Sequence, residues 1–119
     1  MILIVEDDAF IREMAELMIQ DLGHRTLSAG DAQEGLVILR SAQHIKALFT
    51  DINLKADAFG GCELARQGIE LRPKLPVLYT TGNLVTEKIR SLLVKGALLL
   101  IKPYTQRQLQ VSIDATLAA

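Results

Sequence analysis

The chain has 119 residues, of which 50% are hydrophobic, 23% charged and 4% aromatic, and its formal net charge is −1. That length suits one domain with its own core, and the near-neutral charge excludes binding driven by a basic nucleic-acid patch. One cysteine, Cys62, excludes an internal disulfide, and no apolar run approaches the ~18 residues of a membrane span, so the expectation is a single cytoplasmic domain over 1–119 with no membrane contact.

Ile2, Leu3, Ile4 and Val5 form a short continuous apolar run, the pattern of a strand buried on both faces, and it ends in Glu6, Asp7 and Asp8. This run is too short for a secretory leader and leads straight into acids. Ile11, Met14, Ala15, Met18 and Leu22 then recur at helical spacing; Asp8 is placed to cap this helix and Gly23 to stop it. Residues 25–29 read as a weaker strand, Gly30-Asp31 as a turn, and Ala32, Leu36 and Leu39 as the inner stripe of a second helix. A third strand over 47–50 runs into Asp51. Residues 52–61 read as a loop closing on Gly60-Gly61, and Leu64, Ala65, Gly68 and Ile69 mark a third helix that ends before Pro73. Pro76 opens a fourth strand over 77–80, followed by a turn at Thr81-Gly82-Asn83. Val85, Ile89, Leu92 and Leu93 form a fourth helical stripe, stopped by Gly96. Residues 97–101 are a fifth strand ended by Lys102-Pro103, and Leu109, Ile113, Thr116 and Leu117 share one face of a last helix.

Five strands alternating with five helices predict an α/β fold, a doubly wound parallel sheet covered on both faces. In such sheets ligands bind beyond the carboxyl ends of the strands. The residues found there are Glu6, Asp7 and Asp8 after the first strand, Asp51 and Asn53 after the third, Thr81 after the fourth and Lys102 after the fifth. Each has an ordinary reading by itself: a helix cap, a turn acid, a turn threonine, a loop lysine. Their joint placement at one sheet edge carries the chemistry. Clustered carboxylates repel unless a cation sits among them, and oxygen-only donors suit Mg²⁺. An ammonium and a hydroxyl beside one carboxylate and a cation suit phosphoryl transfer to that carboxylate.

These residues resemble the receiver domains of two-component response regulators, over essentially the whole chain. The carriers are Ile2-Leu3-Ile4-Val5-Glu6-Asp7-Asp8, Phe49-Thr50-Asp51-Ile52-Asn53-Leu54, Pro76-Val77-Leu78-Tyr79-Thr80-Thr81-Gly82 and Lys102-Pro103-Tyr104. The resemblance implies a flavodoxin-like five-stranded sheet in order 2-1-3-4-5. It implies that Asp51 accepts a phosphoryl group from a histidine of a sensor kinase or phosphotransfer protein, without turnover as an enzyme. Asp7 and Asp51 would hold Mg²⁺ directly, Glu6 through water, and Asn53 through its backbone carbonyl. Thr81 would receive a phosphoryl oxygen and Lys102 would pair with the phosphate. The Lys102-Pro103 bond is expected to be cis.

Three departures from that family stand out. Lys55 occupies a position usually held by proline, in a longer loop. Leu99 stands where an aromatic switch residue is usual, with Tyr104 and Tyr79 as candidate replacements, each with the alternative of simple packing. The fifth strand has no polar face, which points to a protein-contact or dimer surface near Leu99, Tyr104 and the fourth helix. Two other readings are a pseudo-receiver that acts by contact alone and a small flavodoxin-like phosphatase or nucleotide binder. Against the last stands Glu6-Asp7-Asp8, where a phosphate-cradling glycine-rich loop would be needed. His24 and His44 are expected to lie far from the acids, and Cys62 to be packed.

Overall fold

Ile2, Leu3, Ile4 and Val5 are all buried, because helices cover both faces of the strand they form. The computed structural model describes residues 1–54 and 59–118. Its elements run β1 (Ile2–Val5), α1 (Ala9–Asp21), β2 (Thr26–Ala29), α2 (Ala32–Arg40), β3 (Ala47–Asp51), α3 (Gly60–Leu71), β4 (Val77–Thr81), α4 (Glu87–Leu92), β5 (Leu98–Ile101) and α5 (Gln106–Ala118). The strands form one sheet in the order β2-β1-β3-β4-β5, every pair parallel, so the expected topology is the observed one.

Alternation along each strand divides the core into two layers. On one face Leu3, Val5, Leu48, Val77 and Tyr79 pack with Leu39 of α2 and with Leu64 and Ala65 of α3. On the other, Ile2, Ile4, Phe49, Leu78 and Leu100 pack with Ala15 and Ile19 of α1 and with Leu109 and Ile113 of α5. Two glycines let α2 and α3 approach closely. A β-carbon on Gly35 would stand 3.2 Å from Val5 and 3.3 Å from Leu64, and one on Gly68 would stand 3.2 Å from Leu39.

Several local expectations are corrected. In α1 the line facing the sheet runs through Ala15 and Ile19, while Ile11 and Met14 lie on an open flank. The Asp8 cap is as expected: its carboxylate accepts the Ile11 N–H at 3.0 Å. Gly60 and Gly61 open α3 instead of closing a loop, because the Gly61 N–H donates to the Ile52 carbonyl at 2.9 Å and fastens the helix start to the end of β3. Thr81 belongs to β4. The fourth helix is shorter than its apolar stripe. Thr86 caps it by accepting the Ile89 N–H, which leaves Val85 outside, and none of its residues is buried. Lys55 lies outside the described residues.

Candidate functional site

The parallel sheet delivers the carboxyl ends of β1, β3, β4 and β5 to one edge, and Glu6, Asp51, Thr81 and Lys102 meet there. Glu6, Asp51 and Thr81 are buried. The Lys102 ammonium donates to Asp51 Oδ2 at 2.8 Å and to Glu6 Oε1 at 2.6 Å. Burial acts to lower the lysine pKa, but these two carboxylates outweigh it, and the group is held protonated above its ordinary range. Glu6 moves the other way from a usual ion-paired acid. Its burial, reinforced by the charge on Asp51, raises its pKa against the pull of Lys102.

Asp7 completes an acidic group: Glu6, Asp7 and Asp51 each offer one oxygen, and those atoms lie within 4.8 Å of one another. Three carboxylate oxygens at that spacing fit a hard divalent cation such as Mg²⁺. Both oxygens of Glu6 are already used, Oε1 by Lys102 and Oε2 by the Asp8 N–H at 3.2 Å. Asp7 is the most open of these three acids.

Thr81 faces the same edge, and its hydroxyl donates to Asn53 Oδ1 at 3.2 Å. Asn83 closes the arrangement. Its side-chain amide donates to Asn53 Oδ1 at 2.9 Å, and its backbone N–H donates to Thr81 Oγ1 at 3.1 Å. The Asn53 N–H in turn reaches Asp51 Oδ1 at 3.3 Å. On the far side the Lys102 N–H donates to the Thr81 carbonyl at 2.9 Å, which sets the lysine beside the threonine. The Lys102-Pro103 bond is cis.

Two residues here escaped the sequence reading. Asn83 was visible only as part of a turn, although it follows Thr81 by two residues on a loop that returns over Asn53. Arg12, from α1, donates to the Glu6 carbonyl at 2.8 Å and fixes the acidic loop from outside. No sequence signal marks it beyond its place one turn into the helix.

The candidate switch residues sit deeper than the surface expected around them. Leu99 packs on the core, and Tyr104 meets Phe49 edge-on with ring centroids 6.2 Å apart. The exposed apolar atoms of β5 belong to Leu98, 39% exposed, and Ile101, 50% exposed, and Leu92 of α4 and Val111 of α5 are exposed as well. Tyr79 is fully buried, and its hydroxyl accepts the Val94 N–H at 3.0 Å. His24 and His44 lie among the strand starts; His24 Nδ1 accepts from the Lys46 ammonium at 2.7 Å. Cys62 is buried.

Comparison with known proteins agrees with this geometry. A family model described as the response regulator receiver domain matches residues 2–114. The receiver domain of NtrX from Brucella abortus superimposes with a TM-score of 0.88 at 28% identity, covering 100% of this chain and 99% of that one. A response regulator receiver protein from Sinorhizobium medicae gives a TM-score of 0.89 at 26% identity, covering 99% and 94%. A probable transcriptional regulator, ycf27, of Porphyridium aerugineum is 26% identical over 118 residues, which is 98% of this chain and 47% of that protein. The chain thus spans about half the length of the curated relatives it matches. With five parallel strands in the order 2-1-3-4-5 and a family match along nearly its whole length, the chain belongs to the response regulator receiver domains of two-component signalling.

Proposed function

We propose that this domain accepts a phosphoryl group on Asp51 from a phosphohistidine and uses the modified state to change its protein contacts. The observation that carries this reading is Lys102 held between Asp51 and Glu6, with the acidic oxygens of Asp7 alongside. In the transfer, an Asp51 carboxylate oxygen forms a bond to phosphorus as the bond from the donor nitrogen breaks. The imidazole keeps the electron pair. Lys102 then turns from neutralising Asp51 to pairing with the phosphoryl oxygens, and the Thr81 hydroxyl can exchange Asn53 Oδ1 for one of them.

Asp7 and Asp51 would hold Mg²⁺, with the Asn53 carbonyl as a further ligand and Glu6 acting through water. The double use of Glu6's oxygens supports its indirect part. When bound, the ion offsets charge on the transferring group. The domain would act stoichiometrically, with its donor a sensor kinase or histidine phosphotransfer protein in the cytoplasm. The face of α4, β5 and α5, where Leu98 and Ile101 are exposed, suits an effector or a second copy. Among the described residues no helix is long and apolar enough to cross a membrane.

Acetyl phosphate with Mg²⁺, followed by intact mass, tests the reading. The expected result is one phosphoryl increment, abolished by Asp51→Asn and by chelation. No increment in the wild-type chain supports a contact-only receiver instead.

A further inference from the structure

Leu99 leaves β5 without the aromatic ring expected there, yet its direct neighbour in the sheet is a tyrosine. In the β4–β5 register Tyr79 pairs with Leu99. Tyr79 also lies two residues before Thr81 in the same strand, so both side chains point to the same face. At one end of that short line is the Thr81 hydroxyl, bonded to Asn53 at the site edge. At the other is the Tyr79 phenol, fully buried, accepting the Val94 N–H at the start of the α4–β5 connection.

The rest of α4 is loosely held. It has six residues and buries none of them; Ile89 and Leu93 only rest on the core, and the Lys88 ammonium lies 5.1 Å from the centre of the Phe59 ring. After Leu93 the chain turns through an Ala97 N–H to Val94 carbonyl bond, with Gly96 at φ 83°. The Tyr79 hydroxyl therefore supplies a directional bond between a core strand and the exit of α4. In this state the Thr81 hydroxyl is engaged by Asn53 and Asn83.

We propose that Tyr79 couples the phosphorylation site to α4: its bond to Val94 belongs to the unphosphorylated state, and recruitment of Thr81 towards Asp51 breaks it and frees the helix. The buried ring need not swing in from the surface, because it already stands inside. The displacement travels along β4 rather than across β5. Loss of the tether favours the released state, and a state favoured without phosphate is also more ready to accept one. This rests on the phosphoacceptor reading of Asp51.

Tyr79→Phe keeps the ring volume and removes the hydroxyl. In the unphosphorylated protein, amide hydrogen exchange of residues 87–95 should rise to the level that wild type reaches with beryllofluoride and Mg²⁺. The variant should also bind beryllofluoride roughly two- to ten-fold more tightly, the range of one net hydrogen bond. In Tyr104→Phe, which leaves Tyr79 as the remaining tyrosine, beryllofluoride should shift the tyrosine absorbance. Unchanged exchange of 87–95 and unchanged affinity in Tyr79→Phe, or a silent Tyr79, would overturn the proposal. If wild type takes no phosphoryl group, the reading of Asp51 fails, whereas exchange in unphosphorylated Tyr79→Phe still reports separately whether the tether holds α4.

Discussion

The carbonyl oxygen of Asp51 lies 1.8 Å from the point where a β-carbon on Gly61 would stand. No side-chain rotation relieves that overlap, because the obstacle is backbone. Gly61 is thus required for α3 to start against the end of β3 and hold the main chain of Asp51. Gly61→Ala should cost about 3 kcal/mol or more, the upper range for overpacking. Gly35→Ala meets only movable side-chain carbons at 3.2 Å and should cost less, since alanine also recovers about 1 kcal/mol of helix propensity. Urea denaturation of the two variants side by side checks the ranking.

Lys102→Ala removes the cation between two buried carboxylates. It should destabilise the domain by about 3 kcal/mol at neutral pH, in the range for stranding one side of a buried ion pair. A second change, Glu6→Gln, should recover part of that loss by removing one of the facing charges. Phosphorylation should stay weak in both, since Lys102 is then missing from the phosphoryl oxygens. Thermal midpoints and acetyl phosphate labelling separate the two effects.

Mg²⁺ should raise the thermal midpoint, because the acidic cluster that would hold it forms only in the folded chain. At a hundredfold excess over Kd the gain is about 2.7 kcal/mol. Asp7→Asn should remove most of it. An equal gain in Asp7→Asn would place the ion elsewhere.

His24 has its pKa lowered, first by burial and then by the Lys46 ammonium, with the Met1 amino group acting the same way and Asp114 opposing them. The folded state thus takes up its proton at lower pH than the unfolded chain. Stability is full above about pH 6.5, the ordinary histidine value, and falls as pH drops below it. His24→Gln should flatten that fall below about pH 6.5. Urea midpoints measured across this window test the sign.

Tyr79 titrates in the opposite sense. Burial pushes its phenol up to about 12, so the folded chain keeps the proton after an unfolded one has lost it. Its contribution is complete below about pH 10 and is lost as pH rises towards 12. Absorbance titration should show one tyrosine ionising near 12 in the native protein.

The charged site residues were legible because each directly follows a short run that reads as a buried strand. Glu6 follows Val5, Asp51 follows Thr50, and Lys102 follows Ile101. Asn83 was not legible as a site residue, since its hydrogen bonds depend on how a loop folds back over Asn53. The α1 stripe misled for a related reason. Ile11 and Met14 keep the right helical period, but whether an apolar side chain is covered depends on what stands opposite, and nothing in α1 specifies that. In β5, four apolar residues in a row gave no sign of which would be exposed; β5 lies at the edge of the sheet among the described residues, where Leu98 and Ile101 are open, while Leu99 and Leu100 pack inward.

Sequence by itself determined the alternation of elements and the placement of Glu6, Asp7, Asp51, Thr81 and Lys102 at the carboxyl ends of the strands. These follow from local period and from position at strand ends, which the chain encodes within a few residues. Tertiary structure alone decided that Lys102 divides its protons between Asp51 and Glu6, that Thr81 is held by Asn53 and Asn83, and that Tyr79 reaches Val94. Apart from the bond between Asn83 and Thr81, two residues apart, those bonds join residues 15 to 96 positions apart, and a hydrogen bond requires donor and acceptor within about 3 Å and aligned, a condition only the packed sheet and its returning loops can meet.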